Sequence, residues 1–207
     1  MQFSFTHGNT NLTNFIFGTI SRLGFLNDLN YQLERPSSFD IINSPRGETQ
    51  VAFSSDLTNA LSSLNVEVEG FGSTDIELGV ADFRITGGAA DIDTGKVDII
   101  HDGGLTLKAG EATVNLTDFI VTNLDNNPVI TGAVIVNDDL VTRAPLFDLQ
   151  IGSLGTSNLA GNPILNIDNI QATLTNDAAN LLNQAFGVSA FTQGLDIGTA
   201  EVEALLR

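Results

Sequence analysis

VADFRITGGAADIDTGKVDIIHDGGLTLKAGEATVNLTDFIV, residues 80–121, is the stretch that decides the fold. Phe83 and Ile85 alternate with polar neighbours, as do Val97, Ile99 and His101, then Leu105 and Leu107, then Val114 and Leu116. A period of two is what a strand with one buried face requires, because successive side chains point to opposite faces of a sheet. The connectors Thr86-Gly87-Gly88, Asp93-Thr94-Gly95-Lys96, Asp102-Gly103-Gly104 and Lys108-Ala109-Gly110-Glu111 carry the residues that tight turns use. The stretch predicts a β-meander, and with it an all-β chain.

Working outward, Phe119–Thr122, Val129–Val136, Leu146–Ile151, Leu165–Ile167, Ile170–Leu174 and Leu195–Ala204 read as further strands. Two short helices interrupt them. Ser55-Asp56 starts one, with Leu57, Ala60, Leu61 and Leu64 at helical spacing; Thr175-Asn176 starts the other, with Ala178, Leu181, Leu182 and Ala185 on one face and Gly187 beyond its end. Many short strands separated by turns predict a mostly antiparallel sandwich or barrel, with the two amphipathic helices capping open ends. Residues 1–47 are less regular: Phe3 and Phe5 alternate, Leu23 to Leu33 suits a short helix, and Pro36-Ser-Ser and Ser44-Pro45-Arg46-Gly47 read as loop. The expected organisation is an N-terminal strand and loop extension, 1–47, followed by one β-sandwich domain, 48–207.

Composition narrows the function. The chain of 207 residues is 42% hydrophobic, enough for a sizeable core. Its 25 acidic and 8 basic residues leave a net charge of −17, which argues against nucleic acid and anionic membranes as partners. Without cysteine there are no disulfides and no thiolate chemistry. No apolar run reaches the roughly 18 residues that span a bilayer. No signal peptide is visible, so either the chain is cytoplasmic or the sequence is a mature segment with Met1 as an added start; the Asn- and Thr-rich, lysine-poor style favours an exported protein.

Catalytic motifs are missing. There is no Gly-x-Ser-x-Gly elbow, the two histidines are His7 and His101, and no histidine pair has helical spacing. The expectation is therefore a protein that is not an enzyme. Asp91, Asp93 and Asp98 around Gly95 place hard oxygens within one turn and form a candidate calcium site, although Asp93-Thr-Gly-Lys also has the residues of a plain hairpin turn. His101 shares a face with Val97 and Ile99 and ends its strand before Asp102, Gly103 and Gly104. A histidine there can ligate a metal or haem, or sit half-buried against a backbone carbonyl.

These residues carry a resemblance. The segment Phe83–Leu107, with its Phe-led glycine turn, Thr-Gly hairpin and His101-x-Gly103-x-Leu105, resembles the central stretch of HtaA-type domains, found in secreted and surface bacterial proteins of haem uptake. Pro145-Leu146-Phe147-Asp148-Leu149, the helix near Asn176–Phe186 and Gly198-Thr199-Ala200 extend the likeness over about residues 50–204. The resemblance implies a β-rich, non-catalytic binding domain located outside the cell or on its surface. In the haem binders of that family a tyrosine near the domain start ligates iron and the motif histidine supports it. Here the sequence departs from that pattern: no tyrosine lies near Phe53–Leu64 and the only one is Tyr31, so a bound haem would need His101 as its direct ligand or Tyr31 folded back.

Two expectations follow. One is a binding module for a small hydrophobic or tetrapyrrole ligand held near His101, Asp102, Gly103, Gly104 and Tyr31. The other is a self-assembling structural protein, a homo-oligomer formed through sheet edges or by exchange of the Phe-rich N-terminal segment.

Overall fold

The computed structural model describes residues 39–125 and 127–206. Expectations placed on the N-terminal segment, Tyr31 and His7 among them, lie outside the described residues. The elements run β1 (Phe39–Phe53), α1 (Ser55–Leu64), β2 (Glu67–Phe71), β3 (Asp75–Glu77), β4 (Val80–Asp91), β5 (Lys96–His101) and β6 (Gly104–Ala109). They continue with β7 (Ala112–Thr122), β8 (Val129–Val136), β9 (Asp139–Gln150), β10 (Ser153–Leu159), β11 (Asn162–Leu174), α2 (Asn176–Phe186) and β12 (Asp196–Leu206).

The pairings close on themselves. β1 pairs with β4, β4 with β5, β5 with β7, β7 with β8, β8 with β9, β9 with β11, β11 with β12, and β12 with β1, every pair antiparallel. Of the two all-β architectures that the patterning allows, this closed ring is the barrel. Outside the ring, β2 pairs with β6, β3 with β4 and β10 with β11. The expected meander is modified at its centre: β5 and β6 do not pair with each other but lie end to end along one edge of β7.

The inward rows repeat the alternation of the sequence, and wherever the alternation changes phase the strand carries a bulge. In β4 the buried set passes from Ala81, Phe83 and Ile85 to Ala90, and the register with β5 shifts between Ile85 and Gly87. Thr86-Gly87-Gly88, expected as a connector, is this bulge. In β7 the phase changes from Val114 and Leu116 to Phe119 and Val121, across Asp118 at φ 53°. In β11 it changes from Leu165 and Ile167 to Ile170, Ala172 and Leu174, across Asn169 at φ 55°, so the two expected strands are one. One extra residue flips every later side chain to the other face, which is what each apolar pattern demands.

β1 also departs from expectation. It runs through Ser44–Gly47, read as loop, and through the boundary set at Gly47. Its register shifts between Ile42 and Gly47 against β12 and between Ile41 and Glu48 against β4, so Pro45, which has no N–H, falls where the ladder is interrupted.

Each helix is set by its caps. The Ser54 hydroxyl accepts from the Leu57 N–H at 3.0 Å and the Thr175 hydroxyl from the Ala178 N–H at 3.1 Å; Asn65 and Gly187 end the helices in the left-handed region. Leu57 and Leu61 of α1 and Leu182 of α2 line one apolar cavity with Phe53, Leu105 and Phe191, so both helices cover the same end of the barrel.

Candidate functional site

His101 closes the inward row of β5 and is 4% exposed. Its Nδ1 lies 3.3 Å from the Phe119 carbonyl and its Nε2 2.7 Å from the Thr49 hydroxyl. A carbonyl only accepts, so Nδ1 carries the proton and donates it, and Nε2 accepts from Thr49. Burial, offset in part by the carbonyls of Phe119 and Ile99, lowers the histidine pKa from 6.5 to about 4, and the ring is neutral at physiological pH. Thr49 follows the β1 alternation Thr49, Val51, Phe53, which puts a buried hydroxyl in an otherwise apolar row within reach of the His101 ring.

The pair borders a cavity of about 40 Å³ lined by Val51, Phe83, Leu105, Phe119, Val121 and Phe147. Ligand pockets run to roughly 300–1,000 Å³. A tetrapyrrole does not fit this interior. The histidine nitrogen that would face an iron is held by Thr49, and Tyr31 lies outside the described residues. Among the described residues, the side chains around His101 are apolar apart from Thr49.

Asp102, Gly103 and Gly104 do not converge on His101. Asp102 is half-buried and pairs with Arg84; hydrogen bonds from Arg84 and then Ser73 hold its carboxyl below the usual range. Gly103 sits at φ 83°, and a Cβ there would meet the Thr74 hydroxyl at 2.5 Å and the Phe71 carbonyl at 2.9 Å. The Gly104 N–H donates to Thr74 Oγ1 at 2.9 Å, and a Cβ at this residue would lie 2.0 Å from the Leu116 carbonyl. Gly103 lets this loop pack against the turn between β2 and β3, and Gly104 lets it lie close against β7, both structural tasks.

The aspartates read as a calcium set make a turn. Asp91 Oδ1 accepts from the N–H groups of Asp93 and Thr94 at 3.1 and 3.2 Å, Gly95 is left-handed at φ 70°, and Asp98 lies on β5 opposite Ala89. Among the described residues no group of three or more His, Cys, Asp or Glu side chains is arranged to hold a metal ion.

The barrel's outer wall carries what the interior lacks. A cleft of about 580 Å³ crosses β4, β1, β12 and β11, bounded by Ser73 on one side and the β10–β11 turn on the other. Leu159, Ile164 and Leu205 line it with apolar surface, and Glu48, Asp82, Arg84 and Glu203 with charge. Glu48 lies opposite both Arg84 and Glu203 in the strand register. Asp82 Oδ1 is buried without a hydrogen-bond partner, which leaves one acceptor at the cleft unsatisfied. None of these positions has a motif; they meet only because strands distant in sequence pair.

No protein-family model and no curated protein matches this chain. Solved structures do. The C-terminal domain of HtaA from Corynebacterium glutamicum superposes with a TM-score of 0.59 at 13% identity, over 81% of this chain and 99% of that one. The domain-swapped dimer of a histidine-to-alanine variant of the same domain gives 0.53 at 16% identity, over 73% and 90%. Heme binding protein HtaB from the same organism gives 0.50 at 9% identity, over 82% and 95%. The chain carries the HtaA-type fold.

Proposed function

We propose that this chain is a non-catalytic binding module, extracellular or on the cell surface, that holds a small amphiphilic ligand in the outer cleft rather than inside the barrel. The observation that carries this reading is the contrast in space: about 40 Å³ beside His101 against about 580 Å³ outside. The fold, shared with a heme binding protein, supports a ligand of tetrapyrrole size. The charge of the cleft refines the choice. A haem brings two propionates, and among the described residues lining the cleft they meet one guanidinium, Arg84, already paired with Asp102, and three carboxylates. A neutral or cationic amphiphile matches better.

Parallel absorption titrations with haemin and with a cationic porphyrin test this. The expected result is stronger binding of the cationic porphyrin, retained in His101→Gln and weakened in Leu159→Glu, a substitution at an exposed cleft residue. Haemin binding lost in His101→Gln but kept in Leu159→Glu would move the ligand to the histidine. Titrations flat for both porphyrins would overturn the reading.

Self-assembly by strand exchange is the second reading, favoured by the domain-swapped dimer known for this fold. β1 is the first described strand of the ring, and its departure would open the ring between β4 and β12.

A further inference from the structure

Among the described residues β10 is a free sheet edge, and it is built unlike the other described edges. There it pairs with β11 alone, in unbroken register from Ser153 opposite Asp168 to Leu159 opposite Asn162. Natural edge strands are protected from pairing by charge, proline, bulges or shortness. Such protection is present elsewhere in this chain: β2 carries Glu67 and Glu69, β3 has three residues with Asp75 and Glu77, and the open half of β9 carries Asp139, Arg143 and Pro145. β10 carries none. Its seven residues include no charge, no proline and no bulge, and all but Leu154 are exposed.

The direction of its backbone groups follows from two independent features. The loop Ala160-Gly161, at φ 52° and 88°, is a type I′ hairpin turn, whose closing pair Leu159–Asn162 is hydrogen-bonded. Pro163, which has no N–H, lies opposite Asn158, so that pair is a non-bonded one. Both place the N–H and C=O of Ser153, Gly155, Ser157 and Leu159 towards β11. Those of Leu154, Thr156 and Asn158 point to the open side.

Charge selects the place where a second copy can approach. Two copies of a chain with net charge −17 repel each other, yet from Ile151 to Ile167 there is no charged residue. We propose that two copies of this chain pair through β10, antiparallel about a two-fold axis at Thr156, with Leu154 opposite the partner's Asn158. Every strand stays in its own barrel, which distinguishes this pairing from strand exchange, and the pairing does not depend on any ligand.

Sedimentation equilibrium of the full chain, from about 10 μM to about 1 mM, tests it. The wild type is expected to form a dimer that dissociates on dilution. Thr156→Pro removes an outward N–H without touching the β11 ladder and is expected to weaken the dimer at least ~10-fold with an unchanged circular dichroism spectrum. Thr156→Lys, which keeps the N–H and places a charge in each copy, is expected to weaken it too, and it decides the matter if the proline variant fails to fold. A wild type that stays monomeric, or a dimer that survives either substitution in a folded protein, would overturn the proposal.

Discussion

Protonation of His101 should weaken the fold in mild acid. In the unfolded chain the ring takes up its proton near 6.5, in the barrel only near 4. Between these values the unfolded state holds one more proton than the folded one, so stability falls as pH falls, by about 1.4 kcal/mol per unit. The full loss is about 3 kcal/mol and is complete once pH is below the folded value; above 6.5 both states are neutral and the histidine adds no slope. The cavity around the ring is lined by apolar side chains and Thr49, with no carboxylate to receive the charge. Urea unfolding of the wild type and of His101→Gln, from about pH 7.5 to pH 5, isolates this contribution because other titrating groups are common to both. At about pH 5 the wild type should have lost about 2 kcal/mol more than the variant. Parallel curves for the two proteins over that range would refute the buried neutral imidazole.

Three other outcomes follow from local geometry. Gly88→Ala should cost about 3 kcal/mol in chemical denaturation, because Gly88 sits at φ 137° with the Asp98 carbonyl 2.2 Å from a Cβ, while Gly87→Ala, with nothing within 4 Å, should be close to neutral. Ser54→Ala and Thr175→Ala should each lose about 1–2 kcal/mol, since each hydroxyl caps a helix and also donates to a carbonyl, of Asp196 at 2.6 Å and of Pro145 at 2.8 Å. Adding calcium should leave the melting temperature where it was; a clear rise that Asp93→Asn abolishes would restore the aspartate turn as a cation site.

The all-β fold, both helices and the inward position of His101 were legible because each is a local pattern: alternation, a cap, a row. The bulges were legible only in part. Leu165–Ile167 and Ile170–Leu174 look like two strands because the apolar phase breaks between them, and the sequence does not tell a bulge from a turn. Thr86-Gly87-Gly88 misled for the same reason, since glycines that serve a tight turn also serve a close approach. The outer cleft was not legible at all. Glu48, Asp82, Glu203 and Leu205 become neighbours through pairings between β1, β4 and β12 that no short window contains. The partner of His101 was hidden likewise: Thr49 lies in a different strand, fifty-two positions away, and a buried threonine carries no signature.

The closure of the ring sets an order on how this protein can be made. β1, the first described strand, needs β12, the last, as its second neighbour. A chain emerging from the ribosome can zip β4, β5, β7 and β8 as they appear, but β1 keeps one side unmatched until residues near Leu206 are free. Such long-range pairing slows folding, and the half-built barrel spends that interval with two open edges. The step that completes the barrel therefore waits until β12 has been made, and variants that loosen the β1–β12 seam should fail there, as aggregation during production, before they fail as stability in the test tube.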